Sequence, residues 1–598
     1  MGLIQGKDLE KAGCKAAREF VWQADFSFTK RSKHQLYQIV LKHALVFGLS
    51  AIAPMAIAQP RLPRPLVPLP SPPPAVPTPA LPPPANLLPP PAPPAEPEAP
   101  SLEGTITVNE FKVVGSTVFS AEELAKVTAP FTGRPISFAE LLQVRSAITQ
   151  LYIDSGYVTS GAFIPADQVI EEGVVTIQVV EGTVAEIQVQ GNQRLRASYV
   201  RDRLALATDQ PLNVNRLLKA LQLLQLNPLI KTLSAELTAG PQPGVSILEV
   251  QVAEARSLTA TLTLDNNQLP AIGSFQRQIQ INQANLLGFG DGLSVTYANT
   301  DGRNALDLSY TLPVNARNGT VSVDYGTYWS RIIQPPFDEF DIRGDLWSLG
   351  FTYRQPVIQT PTRELALGLT ANRQQSQTSI LGFPFPLSPG ANDLGQTRIT
   401  QLQFFQEWTQ RSSNSVLALR SQFNLGIDAF GTTTSDIPPD SRFFSWQGQG
   451  QWVRLLAPDT LFIVRGNLQL ADRPLVPIAQ CGVGGLFSVR GYPQDLLLVD
   501  NCLSASAEFR IPILRVAGRK GILHVAPFVD FGTGWNNGDR LIQEDPSSLV
   551  GVGLGLRWQW INRVSASFDW GIPLNSFESG SNSLQDQGLY FSITVSPF

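Results

Sequence analysis

Arg490 is the one charged residue in a run of small and apolar neighbours, Gly484-Gly485-Leu486-Phe487-Ser488-Val489-Arg490-Gly491-Tyr492. Further along, Phe528-Val529-Asp530-Phe531-Gly532 holds a single carboxylate in a strand-like segment. These residue types offer no bond-making chemistry, but they can make a clamp. A guanidinium stays charged and grips a carboxylate through two parallel hydrogen bonds. Glycines 484, 485 and 491 let the backbone turn tightly and come close to another segment. The competing reading is a surface loop with a solvated arginine. Cys481 and Cys502 flank the run. In an oxidising compartment they could staple its base, contributing roughly 3 kcal/mol through chain entropy; otherwise they are two buried thiols.

Catalytic chemistry finds little to work with. The histidines are His34, His43 and His524, too few for a histidine-based zinc site and enough for at most one Ser/His/Asp triad. His524 follows Ile522-Leu523 in an apolar strand and reads as structural. No Gly-x-x-x-x-Gly-Lys-Ser/Thr run is present, so no nucleotide-driven step is indicated. We expect no catalytic residues, no metal and no cofactor. The net charge of −4 gives no general affinity for nucleic acid.

The elements that must position Arg490 and Asp530 begin after a leader. Lys30, Arg31, Lys33 and Lys42 precede an apolar run from Ala44 to Ala53, and Ala56-Ile57-Ala58 supplies small residues for cleavage after Ala58. This reads as a secretory signal over residues 1–58, with 1–29 an extended leader or a misassigned start. Its apolar run is too short for a membrane anchor. Export makes a disulfide chemically accessible. Residues 59–100 contain 20 prolines in 42 positions. Such a run forms neither helix nor central strand and predicts an extended tether, up to roughly 130 Å at about 3.1 Å per residue.

Two similar modules follow, over 101–182 and 183–255. In the first, Ile106, Val108, Phe111 and Val113 predict a strand ending at Gly115. Ser120…Glu123 and Ser137…Glu140 are capping boxes, each opening a helix. Leu141, Ile148, Leu151 and Tyr152 give the second helix an apolar face that stops at Gly156, and strands follow near Val158–Ile164 and Val174–Val180. The order is β-α-α-β-β. Phe111-Lys112-Val113-Val114-Gly115 then recurs as Ile187-Gln188-Val189-Gln190-Gly191, an internal duplication. Leu217, Leu221 and Leu224 line the second unit's helix, and Ser246 to Val252 alternates as its last strand. The first module has 10 acidic residues against 4 basic ones, which reads as a solvated surface or a preference for neutral or basic partners.

Over 256–598 the texture is short alternating stretches. Leu258, Ala260, Leu262 and Leu264 alternate with Thr; Val550, Val552, Leu554 and Leu556 with glycine; Val564, Ala566, Phe568 and Trp570 with Ser and Asp. Charged residues make up only 16 % of the chain and no twenty-residue window is uniformly apolar, so spanning helices are not expected. Apolar-out, small-or-polar-in alternation is the rule of a transmembrane barrel, and the length predicts roughly 16 antiparallel strands. Trp558 and Trp560 share a face suited to an interfacial girdle. A large soluble all-β protein is the competing reading. The predicted class is therefore α+β modules followed by a membrane all-β barrel.

Several of these stretches resemble a known family. The modules are similar to polypeptide-transport-associated (POTRA) domains, and Asn227-Pro228-Leu229-Ile230 with Pro243-Gly244-Val245-Ser246 resembles the second such domain of two-partner secretion translocators. Leu264-Asp265-Asn266 with Gly273, Asn285-Leu286-Leu287-Gly288, Gly290-Asp291 and Tyr310-Thr311-Leu312-Pro313 look like the start of the barrel in hemolysin secretion/activation translocators. Val489-Arg490-Gly491-Tyr492 resembles the sixth-loop signature of the wider outer-membrane assembly superfamily. Phe528, Asp530 and Gly532 resemble its barrel-wall partner motif. Leu589 to Phe598 resembles the C-terminal strand signal of outer-membrane proteins, with Phe598 out of phase.

The resemblance implies a bacterial outer-membrane translocator with POTRA domains in the periplasm and the loop folded into the lumen, Arg490 against Asp530. It implies an unfolded secreted exoprotein as client, outer-membrane lipid as surroundings and the barrel-assembly machinery during biogenesis. The helical plug of some members cannot come from the proline-rich segment. Two other functions share parts of this pattern: a barrel-assembly factor, which has the same loop signature, and a passive porin, which needs no client-binding arm.

Overall fold

The computed structural model describes residues 87–88, 105–166, 168–516, 518, 521–538, 547–561, 563–577 and 582–597. The expected leader cleavage at Ala56 and Ala58, and Phe598, lie outside them.

The first module contains β1 (Thr105–Val108), β2 (Glu110–Val114), α1 (Ala121–Thr128), β3 (Arg134–Ser137), α2 (Phe138–Asp154), β4 (Gly161–Phe163) and β5 (Val174–Val180). Both predicted capping boxes form, Ser120 with Glu123 and Ser137 with Glu140. They satisfy helix N–H groups that have no partner within the helix. Leu141, Val144, Ile148 and Tyr152, spaced at three or four, put one face of α2 into the core with Val175, Ile177 and Val179 of β5. The sheet order is β2-β5-β4, with β2 parallel to β5. One feature exceeds the predicted order: β1 and β3 form a separate two-stranded ladder. Four-residue strands are too short to declare themselves by alternation.

The second module repeats the plan with β6 (Thr183–Gln190), α3 (Ala197–Ala205), α4 (Val214–Gln225), β7 (Ile230–Ala239) and β8 (Val245–Glu254), in the order β6-β8-β7. The duplicated glycines do the same job. Gly115 has φ +87° and Gly191 φ +80°, and a Cβ at either would come within 2.5 Å of a carbonyl oxygen, Val179 or Val252. Of the proline-rich segment, Leu87 and Leu88 are described. Both are buried, and Leu88 packs into the apolar cluster of the second module beside residues such as Leu195 and Tyr199. At that point the segment is docked rather than a free tether.

Sixteen long antiparallel strands, from Leu258–Asp265 to Leu589–Val595, close into a barrel, with a two-residue ladder at Phe383–Pro384 added to one wall. Closure runs from the pair Ser592 and Asp265 to the pair Val595 and Leu262. A closed sheet leaves no unpaired edge in lipid, where each orphaned backbone group costs several kcal/mol. The alternation settles which way side chains point. Leu262, Leu264, Leu554, Leu556, Phe568 and Trp570 face outward, whereas Gln374, Gln401, Gln422, Asn424, Gln469 and Asp569 are buried on the inside. Trp558 and Trp560 stack on the outer face, ring centroids 6.1 Å apart. Among the described residues no helix is long and apolar enough to cross a membrane.

The second module is seated on two barrel turns at one mouth, 285–291 and 314–319. The Arg196 N–H donates to the Gly288 carbonyl at 3.0 Å, its guanidinium lies 3.7 Å above the Phe289 ring, and Arg203 Nε donates to Asn318 Oδ1 at 2.8 Å. This contact marks one mouth of the barrel as the end that meets the modules.

Candidate functional site

The long connection between the strands Thr460–Ala471 and Asn501–Val516 turns back into the barrel. It rests on several parts of the wall. Leu475 and Val476 pack with Ile399 and Phe443; Ile478 also packs against Ala298, Ala305, Tyr328 and Leu346. Val483, Val489, Tyr492, Leu497 and Val499 cluster with Leu549. The loop thus crosses the lumen. Its base is set by Asp500, fully buried, which accepts from the Leu475 and Asn537 N–H groups and from Gln480 Nε2, each at 2.9 Å. The sulfurs of Cys481 and Cys502 are bonded, tying a short hairpin, Cys481–Val483 with Leu497–Val499, to the barrel strand that carries Cys502.

Arg490 is at the inner end of this loop, 3 % exposed, against the strands Asn501–Val516, Gly521–Trp535 and Val564–Pro573. Its Nε donates to Asp530 Oδ2 at 2.7 Å and its Nη2 to Asp530 Oδ1 at 2.9 Å, a two-point grip. The Arg490 backbone N–H adds a third bond to Asp530 Oδ2 at 3.0 Å. Phe528 lies flat beneath the guanidinium, 3.4 Å from ring centroid to Cζ. Arginine is weakly hydrated and planar, so it stacks on an aromatic face at little cost.

Asp530 is not alone. Arg490 Nη1 also donates to Glu508 Oε2 at 2.6 Å and to Asp569 Oδ1 at 3.1 Å, and Nη2 to Ser506 Oγ at 3.3 Å. Glu508 is held in addition by Arg510 Nε at 2.7 Å and Arg557 Nη2 at 3.1 Å; Asp569 by Arg557 Nη2 at 2.6 Å. The three carboxylates are each 1 % exposed. The three carboxylates bond to three guanidiniums, those of Arg490, Arg510 and Arg557, and Arg465, opposite Ser506 on the next strand, adds a fourth cation beside Glu508. Sequence reasoning missed Glu508, Asp569, Arg510 and Arg557. The available signal was a lone charge at an inward position of a strand with apolar outer neighbours, such as Asp569 between Phe568 and Trp570.

The remaining motif residues fix the loop backbone. Tyr492 Oη donates to the carbonyls of Val550 and Asn575 at 3.0 and 3.2 Å, and Tyr590 Oη donates to the Tyr492 carbonyl at 2.5 Å. Gly491, at φ +105°, lies against Gly571, Ile572 and Pro573 of the wall. The wall is cut away to receive it. A Cβ on Gly551 would strike the Arg490 carbonyl, one on Gly571 the Gly491 nitrogen, and one on Gly532 would fall 2.6 Å from Val489 Cγ2. Of the alternating glycines of the strand Ser548–Trp560, Gly551 meets the loop itself, while Gly553 and Gly555 make room for Phe528, Asp569 and Arg557 behind it. His524 is opposite Arg557 in the neighbouring strand, at the edge of this cluster, and its Nε2 is 3.0 Å from the Asp459 carbonyl oxygen. Among the described residues no group of metal-ligating side chains occurs.

Comparison with known proteins agrees with this architecture. Residues 244–558 match the family described as haemolysin secretion/activation protein ShlB/FhaC/HecB, and residues 106–182 match the ShlB-type POTRA domain. The heme/hemopexin transporter protein HuxB of Haemophilus influenzae (strain 86-028NP) is 24 % identical over 472 residues, covering 76 % of this chain and 81 % of that one. The outer membrane transporter CdiB of Escherichia coli O6:K15:H31 is 24 % identical over 495 residues, covering 78 % and 79 %. Among solved structures, CdiB from Escherichia coli superposes with a TM-score of 0.62 at 20 % identity, covering 84 % of this chain and 92 % of that one. BamA from Haemophilus ducreyi lacking its first three POTRA domains gives 0.51 at 15 % identity, covering 82 % and 100 %. These structural likenesses speak to fold alone; the family match over more than half the chain speaks to kind. The chain belongs to the ShlB/FhaC/HecB haemolysin secretion/activation family, the outer-membrane transporters of two-partner secretion.

Proposed function

We propose that the two modules take up the partner exoprotein while it is unfolded in the periplasm, and that the loop carrying Arg490 must leave its seat for the client to cross the barrel. The observation that carries this is the loop's position across the lumen, held at its inner end by one arginine on three wall carboxylates. The seated loop occupies space that a polypeptide in transit would need. Client uptake is supported by the sheet edges. The ten-residue β7 is the outer strand of its sheet, and an extended client strand can add to such an edge through backbone hydrogen bonds that tolerate any sequence. Between Gln374 and Gln469 the buried polar side chains are, apart from Asp440, uncharged Gln, Asn, Ser and Thr, groups that can bond to a passing backbone. With no nucleotide motif in the chain, client folding outside the cell supplies the drive. Insertion of the closed barrel makes the barrel-assembly machinery a second, transient partner.

Deletion of the gene should remove one or a few large proteins from the culture medium and leave the complement of outer-membrane barrels unchanged. A general loss of outer-membrane barrels would instead assign the chain to assembly and overturn the proposal.

A further inference from the structure

The outer wall of the barrel carries a charged site that transport does not use. Arg373 is on the strand Arg363–Ile380 and Arg398 on its neighbour Gln396–Arg411. The register sets Arg373 opposite Thr400 and Arg398 opposite Gln375. The two arginines are therefore diagonal neighbours on one face, a spacing of about 7–8 Å that long side chains bridge. Leu369, Leu402 and Phe404 share their parity and are exposed, whereas Gln374 and Gln401, of the other parity, are buried inside. Both arginines thus face lipid.

Their height follows from the connections. The short turns 360–362 and 412–414 are at the periplasmic end, and the long connections 381–395 and 428–442 at the extracellular end, nearer which both arginines lie. Toward the periplasm the same face is apolar, with Phe404, Phe423 and Phe444 stacked at 6.4 and 6.2 Å. Beside them Trp347 is opposite Gln375, and Trp329 is exposed one strand further. Tryptophan on a lipid face marks the headgroup level.

Charge bookkeeping separates these two from the rest of the extracellular rim. Arg277, Arg331, Arg343, Arg442 and Arg473 each lie within 3.0 Å of an aspartate oxygen. Among the described residues neither Arg373 nor Arg398 has an ion-pair partner. Arg373 donates to Thr400 Oγ1 at 2.7 Å and reaches the Ala429 and Gly431 carbonyls only at 3.5 Å. Arg398 donates to Gln396 Oε1 at 2.6 Å, and its Nε has no partner. Two like charges held together at the edge of a low-dielectric layer call for an anion.

We propose that Arg373 and Arg398 bind a phosphate of a glycolipid headgroup in the outer leaflet, with its acyl chains on Leu369, Leu402 and Phe404. Guanidinium matches phosphate with parallel hydrogen bonds, and Gln375 offers a further donor on the same face. The inference rests on the membrane embedding of the barrel and is independent of the role given to Arg490. The test is binding of bisphosphorylated lipid A, dephosphorylated lipid A and inorganic phosphate to the full-length protein in detergent, read by native mass spectrometry. The bisphosphorylated lipid should bind, and R373Q/R398Q should weaken it about ten-fold or more, at about 1 kcal/mol per basic residue. R373K/R398K should retain most of the affinity and R277Q/R343Q all of it. Equal binding of the dephosphorylated lipid, or unchanged binding by folded R373Q/R398Q, would overturn the proposal. Inorganic phosphate competing at the same concentration as the lipid would assign a free-anion site and overturn the lipid. If R373Q/R398Q fails to migrate as a heat-modifiable barrel, the comparison of the two lipids on the unaltered protein still decides.

Discussion

Arg490→Ala tests whether the ion-pair cluster holds the loop, and the structure gives its cost an uneven distribution. Glu508 would keep Arg510 and Arg557, and Asp569 would keep Arg557. Among the described residues no other cation bonds Asp530: the hydrogen bonds to its side chain all come from residue 490. The variant therefore strands one carboxylate in a site with 1 % exposure. Leaving one member of a buried pair uncompensated costs about 3–5 kcal/mol, or about two to three and a half powers of ten in an equilibrium constant. Withdrawal of the loop relieves that cost by letting water reach Asp530. The disulfide does not prevent it, because nine residues of chain separate Cys481 from Arg490 (490 − 481), a reach of roughly 30 Å when extended. Asp530→Asn should be milder, since Arg490 would keep Glu508 and Asp569. The double variant should then behave like Asp530→Asn rather than like the sum. The assay is the amount of partner exoprotein in the medium, with heat-modifiable migration to confirm a folded barrel and external proteolysis of the loop to report its position. Asp530→Asn as severe as Arg490→Ala, with additive effects in the double variant, would refute the reasoning. So would normal export and an unmoved loop in Arg490→Ala.

The same seat can be spoiled without touching a charge. Gly571→Ala places a methyl group against the Gly491 backbone; overpacking of about 1–3 kcal/mol should increase proteolysis of the loop while the barrel still folds. Cys481→Ser should abolish the mobility difference between reducing and non-reducing gels. It should lower resistance to unfolding by roughly 3 kcal/mol yet disturb export less than Arg490→Ala, because it frees the base and not the tip. In the first module burial pushes the Glu181 carboxyl up, but bonds from Thr117, Tyr152 and Val118 outweigh it and its pKa is lowered. A lowered pKa stabilises the fold above the ordinary glutamate range, about 4.3, and that contribution is lost as pH falls through the folded-state value. Hydrogen exchange of β2 and α2 should rise on acidification below that range, and Glu181→Gln should flatten the response. An unchanged profile in the variant would assign the acid sensitivity elsewhere.

Local patterns were legible where chemistry and neighbours in sequence coincide. The capping boxes, the helix stop at Gly156, the duplicated Gly115 and Gly191 and the outward alternation of Leu262–Leu264 or Phe568–Trp570 are set within a few residues of themselves. Arg490 and Asp530 stood out because each is the one charge in a segment otherwise unfit to solvate it, but their pairing was implied by the family resemblance and not by the residues alone. What was hidden depends on which strands meet across the lumen. Glu508 and Asp569 lie on strands separated by two others, and no local period brings them to one guanidinium. Gly551 and Gly571 read as small inward residues. That they are small because a loop backbone lies on them is a fact of closure, not of the strand.

The distribution of charge in the cluster has a consequence for how the loop would move. With Arg490 gone, Arg465, Arg510 and Arg557 still stand beside Glu508 and Asp569, whereas Asp530 loses the bonds that Arg490 gave it. That one stranded carboxylate, rather than a net charge on the wall, would draw the arginine back once the lumen is clear. It also sets a limit on the client. A basic segment passing the seat would compete for Asp530 and linger, whereas a chain rich in neutral polar residues would not. The loop is held in two ways. Leu475, Val476, Ile478, Val483 and Val489 hold it through buried apolar area, which must be peeled away piece by piece. The charge pairs of Arg490 weaken steeply once water enters, so water brought in by a passing chain would loosen the inner end of the loop first.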